Sequence, residues 1–228
     1  MQRAERFEIF FYIVALAAGC CISVLLKLNE TNFNGDCLLF GKLDILTNNI
    51  FMGSQAYCNF TFYSSLTNAI LAILLGFGQC CCSVHTYNWS VVYFKFMATI
   101  LAAIAWINCL VCTIFIITGF NKWCNSVTNN GNIERCKNAE RWDWTVYRPV
   151  GIDGRSFYTH LFIAEVASYS ALGIWFIITV FSGRNFKKSL FEMKASEYYI
   201  TDERMAYSSP IQEIPFYEVT SDRGSRYL

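Results

Sequence analysis

Eleven cysteines, two histidines and one acid deep in an apolar run are the residues of this sequence best suited to chemistry. Cys37 and Cys58 lie in one polar stretch, and Cys124 and Cys136 in another. Two thiols per stretch is the distribution expected of disulfides formed in an oxidising compartment. Pairing within each stretch, Cys37–Cys58 and Cys124–Cys136, is the first reading. Four cysteines allow three connectivities, so pairing across the stretches is the alternative. A zinc site would want CxxC-type spacing, which neither stretch has. Cys80, Cys81 and Cys82 form a run at the end of an apolar segment, just before His85. Thiols in that position are S-palmitoylation acceptors; the plainer use is packing as small apolar residues. Cys20, Cys21, Cys109 and Cys112 lie deeper in apolar runs and read as packing residues.

Glu165 is the acid well inside an apolar run, and an ionisable residue within a span is a functional hypothesis by default. Asn68 and Asn108 fall at a similar depth in two other runs. Three polar side chains at one level predict a hydrogen-bonded cluster inside a bundle. The cluster could serve as a cation path or proton relay, or as glue between helices worth about 0.6 kcal/mol per contact. Transport paths usually need several acids, broken helices or internal repeats. None of these is visible, so glue is the preferred reading. His85 and His160 belong at opposite faces of the membrane and cannot cooperate. No nucleophile–base arrangement, phosphate loop or metal cluster stands out, so no enzyme, cofactor or metal is expected.

The elements that must position these residues follow from composition. Apolar residues make up 54% of the chain and charged ones 15%, against about 25% charged in soluble domains. Four apolar runs, 7–26, 60–84, 91–120 and 157–182, each reach the roughly 20 residues that cross a hydrocarbon core of about 30 Å. The runs do not alternate, which excludes a membrane barrel. The expected fold is an all-α membrane protein, a four-transmembrane-helix bundle over 1–186, with outer loops 27–59 and 121–156. The tail 187–228 should be mostly disordered beyond a short amphipathic helix at 187–199. The first run is too long for the apolar core of a signal peptide and is read as a span.

Four spans put both chain ends on one side. Lys and Arg counts near the membrane are nearly equal on the two sides and do not choose between orientations. The paired cysteines do, together with the glycosylation sequons at Asn29 and Asn59. Both loops should face outward, with both termini cytosolic and the plasma membrane as the expected location. A third sequon, at Asn88, falls in a short cytosolic turn and should be inert. A net charge near zero without a basic run argues against nucleic acid. Membrane lipid is the first expected partner.

At this point the order of residues becomes recognisable. Asp36-Cys37-Leu38-Leu39-Phe40 follows the first run, and Trp123-Cys124-Asn125-Ser126-Val127-Thr128, then Gly131 and Cys136, follows the third. Ser156-Phe157-Tyr158 opens the fourth, which continues through Phe162-Ile163-Ala164-Glu165 to Trp175. Together these resemble the transmembrane protein 179/179B family, a claudin-like four-span group. The resemblance covers about 7–186. It implies cytosolic termini and disulfide-stabilised outer loops, with room for a small extracellular β-sheet built from those loops. The claudin signature W…GLW…C…C is missing from the first loop, so junction sealing is not carried over.

Claudin-like relatives include auxiliary subunits of channels and receptors, and that role is the expected one for this chain. Trp123, Trp142, Trp144 and Tyr147 are of the types favoured as partner anchors, although Trp and Tyr also belong at membrane surfaces. An adhesion or membrane-organising protein is the alternative, and a small transporter using Glu165 the second alternative. Acyl-exchange labelling of the full chain should be lost when Cys80, Cys81 and Cys82 are all changed to Ser; an undiminished signal rejects acylation there.

Overall fold

Four long helices dominate a computed structural model that describes residues 3–82, 89–131 and 133–208, with side chains over 7–81, 89–129 and 133–195. Helix α1 is Arg3–Asn32. A hairpin of strands β1 (Cys37–Asp44) and β2 (Asn49–Gly53) follows. Helices α2 (Gln55–Cys82), α3 (Trp89–Gly131) and α4 (Phe157–Ser208) complete the set. Two short 3₁₀ turns, Cys136–Arg141 and Trp144–Val146, lie between α3 and α4. All four helices are long and apolar enough to cross a membrane. This is the mostly helical, four-span architecture expected, including the small sheet.

The helices overrun the apolar runs that announce them. Helix α3 continues through Asn125, Ser126 and Thr128 to Gly131, so Cys124 is helical rather than part of a loop. The Thr128 hydroxyl donates to Cys124 O at 3.0 Å, a back-bond that lets a polar residue sit in a helix. Helix α4 runs without a break through 187–199, where a separate short helix is expected, and on to Ser208. The stretch 209–228 lies outside the described residues. The chain divides into a compact unit ending at Ser189 and a second unit from Leu190, described as the last part of α4.

Burial within the first unit follows one rule. On α4 the buried positions from 157 to 182 are Phe157, Leu161, Ala164, Ser168, Ala171, Trp175, Ile178 and Ser182. Their spacing alternates between four and three residues. On α1 the same alternation joins Glu8, Tyr12, Ala15, Gly19, Ile22, Leu26 and Asn29. On α2 it joins Cys58, Thr61, Ser65, Asn68, Ala72 and Leu75. A repeat of 3.5 residues is the seam of left-handed helix packing. In lipid such seams favour small and polar residues, because tails outside are as apolar as leucine. Gly19 shows how close the approach is: a Cβ there would lie 2.9 Å from the Ser65 carbonyl oxygen and 3.1 Å from Ala69 Cβ.

Glu8 is buried at 2% exposure near the end of the bundle away from the hairpin. Gln79 Nε2 donates to its Oε1 at 2.9 Å, and Asn185 Nδ2 to its Oε2 at 2.7 Å. One carboxylate therefore joins α1, α2 and α4. At the other end, Leu43 N–H donates to Ser126 Oγ at 2.7 Å, which fixes β1 to α3. The hairpin is antiparallel, with Lys42 opposite Phe51 and Leu43 opposite Ile50, and its register is irregular between Cys37 and Lys42.

Candidate functional site

Two disulfides close the hairpin end of the molecule. Cys37–Cys58 joins the start of β1 to the first turn of α2, with Cα atoms 5.7 Å apart. Cys124–Cys136 joins α3 to the first 3₁₀ turn, with Cα atoms 5.2 Å apart. Both are the within-stretch pairs. In the chain-entropy model a loop of this size contributes about 3 kcal/mol.

The disulfides frame an aromatic core rather than an exposed contact surface. Trp123, Trp144 and Tyr147 are buried, so they are not available as partner anchors. The Trp144 ring lies 6.0 Å from Phe33, 5.6 Å from Tyr147 and 5.6 Å from Phe157, centroid to centroid. Its Nε1 donates to Ala139 O at 3.1 Å. Gly154 is required beside it, because a Cβ there would run into the indole. Trp142 is half-buried and stacks on Tyr147 at 6.1 Å. The same aromatic character that marks an interface also marks a core, and here the core prevails. Burial pushes the Tyr147 phenol up from its usual range. The Asp143 carboxyl is held below its usual range by hydrogen bonds from the Thr145 hydroxyl at 2.6 Å and the Thr145 N–H at 3.1 Å. Glu140 accepts from Thr159 N–H at 2.8 Å, placing a carboxylate at the positive end of α4.

The polar cluster in the spans forms, but without its acid. Asn108 Nδ2 donates to Asn68 Oδ1 at 3.2 Å, and Ser64 Oγ donates to Asn108 Oδ1 at 3.0 Å. Glu165 takes no part. It sits one residue off the α4 seam, next to buried Ala164, and is only partly covered. Its carboxylate has no hydrogen bond or ion pair among the described residues, and a relay through it has no second group to work with. Ser65 and Cys112 extend the polar core inward, with Oγ and Sγ 3.5 Å apart.

The remaining predicted sites separate by exposure. Asn29 is buried at 3% and its Oδ1 has no partner among the described residues, so a glycan has no room there in this fold. Asn59 is exposed in the first turn of α2. Cys80 and Cys81 are exposed at the opposite end of α2, while the Cys82 side chain and His85 lie outside the described residues. Cys109 and Cys112 pack internally as expected, but Cys20 is exposed on α1 and does not. Sequence reasoning passed over Glu8, Ser64 and Ser65. The three-four spacing that links Glu8 to Tyr12 and Ser65 to Asn68 is the signal that could have found two of them.

The family model described as the transmembrane protein 179/179B claudin domain matches residues 4–207. The chain belongs to this family. Relatives named transmembrane protein 179B share modest identity over most of its length. The Danio rerio protein is 24% identical over 194 residues, covering 79% of this chain and 83% of that protein. The Mus musculus protein is 24% identical over 175 residues, covering 75% and 78%. The Homo sapiens protein is 22% identical over 180 residues, covering 77% and 80%. No solved structure matches the chain. In the disulfide-framed head of this chain Trp144 is buried at the centre of the aromatic core. Trp144→Ala should therefore cost about 3–5 kcal/mol. Thermal unfolding of the purified chain will show a lowered midpoint, whereas Val150→Ala, at 78% exposure, should leave it unchanged; equal effects would contradict the core assignment.

Proposed function

We propose that this chain is a non-catalytic accessory subunit that binds a larger channel or receptor and modulates or traffics it. The proposed setting is the plasma membrane, with the disulfide-framed head outside and both termini in the cytosol. Closed disulfides support that orientation, because they form in oxidising compartments. Exposed Cys80 and Cys81 at the other end of α2 fit acylation on the cytosolic face.

The observation that carries the reading is a set of apolar side chains left bare on the head. Leu46 is 97% exposed, Val150 78% and Val146 55%. They cluster by construction, since Arg148 N–H donates to Asn48 O at 2.9 Å and Ile50 N–H donates to Arg148 O at 2.9 Å. That pairing brings the hairpin tip beside 146–150. Clustered apolar residues on a head tied by two disulfides suit docking against another protein. The buried aromatics contribute by keeping this edge in one shape, not by touching the partner.

Cross-linking mass spectrometry on native membranes tests the proposal. One channel or receptor, cross-linked to the head at fixed stoichiometry, is the expected result. Leu46→Asp combined with Val150→Asp should reduce its recovery by about tenfold or more, as expected for interface anchors. Unchanged recovery contradicts the proposal. Recovery of partners only from apposed cells would favour the adhesion alternative instead.

A further inference from the structure

A groove of about 540 Å³ runs along the membrane face between α2 and α3. Its lining extends from Asn59 to Leu71 on α2, a length of about 18 Å at 1.5 Å per residue. Its floor is polar. Asn68, Ser64 and Asn108 all line it, and Thr67 stands beside them. Asn68 is the middle residue of the span Gln55–Cys81, so it lies near the centre of the bilayer.

Asn68 is only 5% exposed, yet its amide is half used. The Oδ1 accepts from Asn108, while the Nδ2 donates to no atom among the described residues. The exposed Thr67 hydroxyl likewise has no partner among the described residues. Polar groups left unpaired in hydrocarbon are costly. Whatever fills the groove must bring hydrogen-bonding atoms to mid-membrane depth. Lipids carry theirs at the bilayer surface, about 15 Å away, half the thickness of the core. A helix from another protein chain is the occupant that satisfies the depth.

We infer that the occupant is a second copy of this chain, and that the α2–α3 face is a self-association surface built around Asn68 and Thr67. Two copies inserted with one topology are related by a two-fold axis along the membrane normal. Each residue near that axis meets its own counterpart at the same depth. A hydroxyl carries both donor and acceptor, so the exposed Thr67 of one copy can enter the groove of the other and accept from the recessed Asn68 amide there. Shape agrees with chemistry. Tyr63, Thr67 and Ile70 form an exposed ridge at helical spacing along the groove's margin, Tyr63 being 61% and Ile70 49% exposed. A two-fold contact seats the ridge of each copy in the groove of the other. This inference does not depend on the accessory-subunit reading.

The test uses the full chain, with its disulfides intact and a fluorescent tag, in phosphatidylcholine vesicles at low density. Photobleaching steps count the copies per spot. Two-step spots are expected. Thr67→Val removes a hydroxyl with no partner among the described residues, and should weaken association about three- to eighteenfold, the range measured for interhelical hydrogen bonds in a membrane protein. Asn68→Leu should weaken it at least as much, and Thr67→Val keeps the test valid if that variant misfolds. In cell membranes, with Cys20, Cys80, Cys81 and Cys82 replaced by Ser, Thr67→Cys should oxidise to a disulfide-linked dimer, and Val166→Cys on exposed α4 should not. Single-step spots at all densities would overturn the inference. So would dimers indifferent to Thr67→Val, equal cross-linking through Val166→Cys, or a Thr67→Cys product joined only to a different protein.

Discussion

Hydrocarbon offers a peptide no hydrogen bonds, and the build of the helical bundle follows from that. Each crossing segment must satisfy its backbone internally, which leaves the helix as the form for these non-alternating runs. Once helical, the segments gain nothing by hiding leucine from lipid. They associate through close approach and through polar side chains that find one another. The seams of α1, α2 and α4 obey this rule. Gly19 meets Ser65 and Ala69, and Glu8 gathers Gln79 and Asn185. The greasy residues, such as Ile13, Ile73 and Phe176, face outward.

The hairpin end obeys the opposite rule, because it stands in water. There the core is aromatic and apolar, with Phe33, Trp123 and Phe157 fully buried. A core this small leans on covalent closure, and the two disulfides supply it. They also determine which residues can act. Trp144 and Tyr147 are committed to the interior, and the edge around Leu46 and Val150 is left exposed. The bundle and the head meet at the end of α1, where Asp153 N–H, in the segment before α4, donates to Asn32 O at 2.8 Å.

Much of this was legible from residue order alone. The four apolar runs locate the four helices, and two cysteines per polar stretch locate both disulfides. The helix ends were not legible, because Asn125, Ser126 and Thr128 read as loop, whereas Ser126 bonds to Leu43 of β1 from within α3. Glu165 misled because depth was considered without angular position: one residue's rotation takes it off the seam that Ala164 and Ser168 occupy. Asn29 misled similarly, since a sequon says nothing about which face of α1 bears it. The tryptophans misled because type does not separate core from interface. In each case the missing quantity was direction around a helix or depth within a fold.

The account stands or falls on an exoplasmic head closed by two disulfides at the end of a four-helix membrane bundle. Impermeant maleimide on intact cells, with and without prior reduction by an impermeant phosphine, measures this directly. The account predicts no labelling of Cys37, Cys58, Cys124 or Cys136 before reduction and labelling of all four after it. Labelling without reduction, or labelling that requires permeabilised cells, would contradict it.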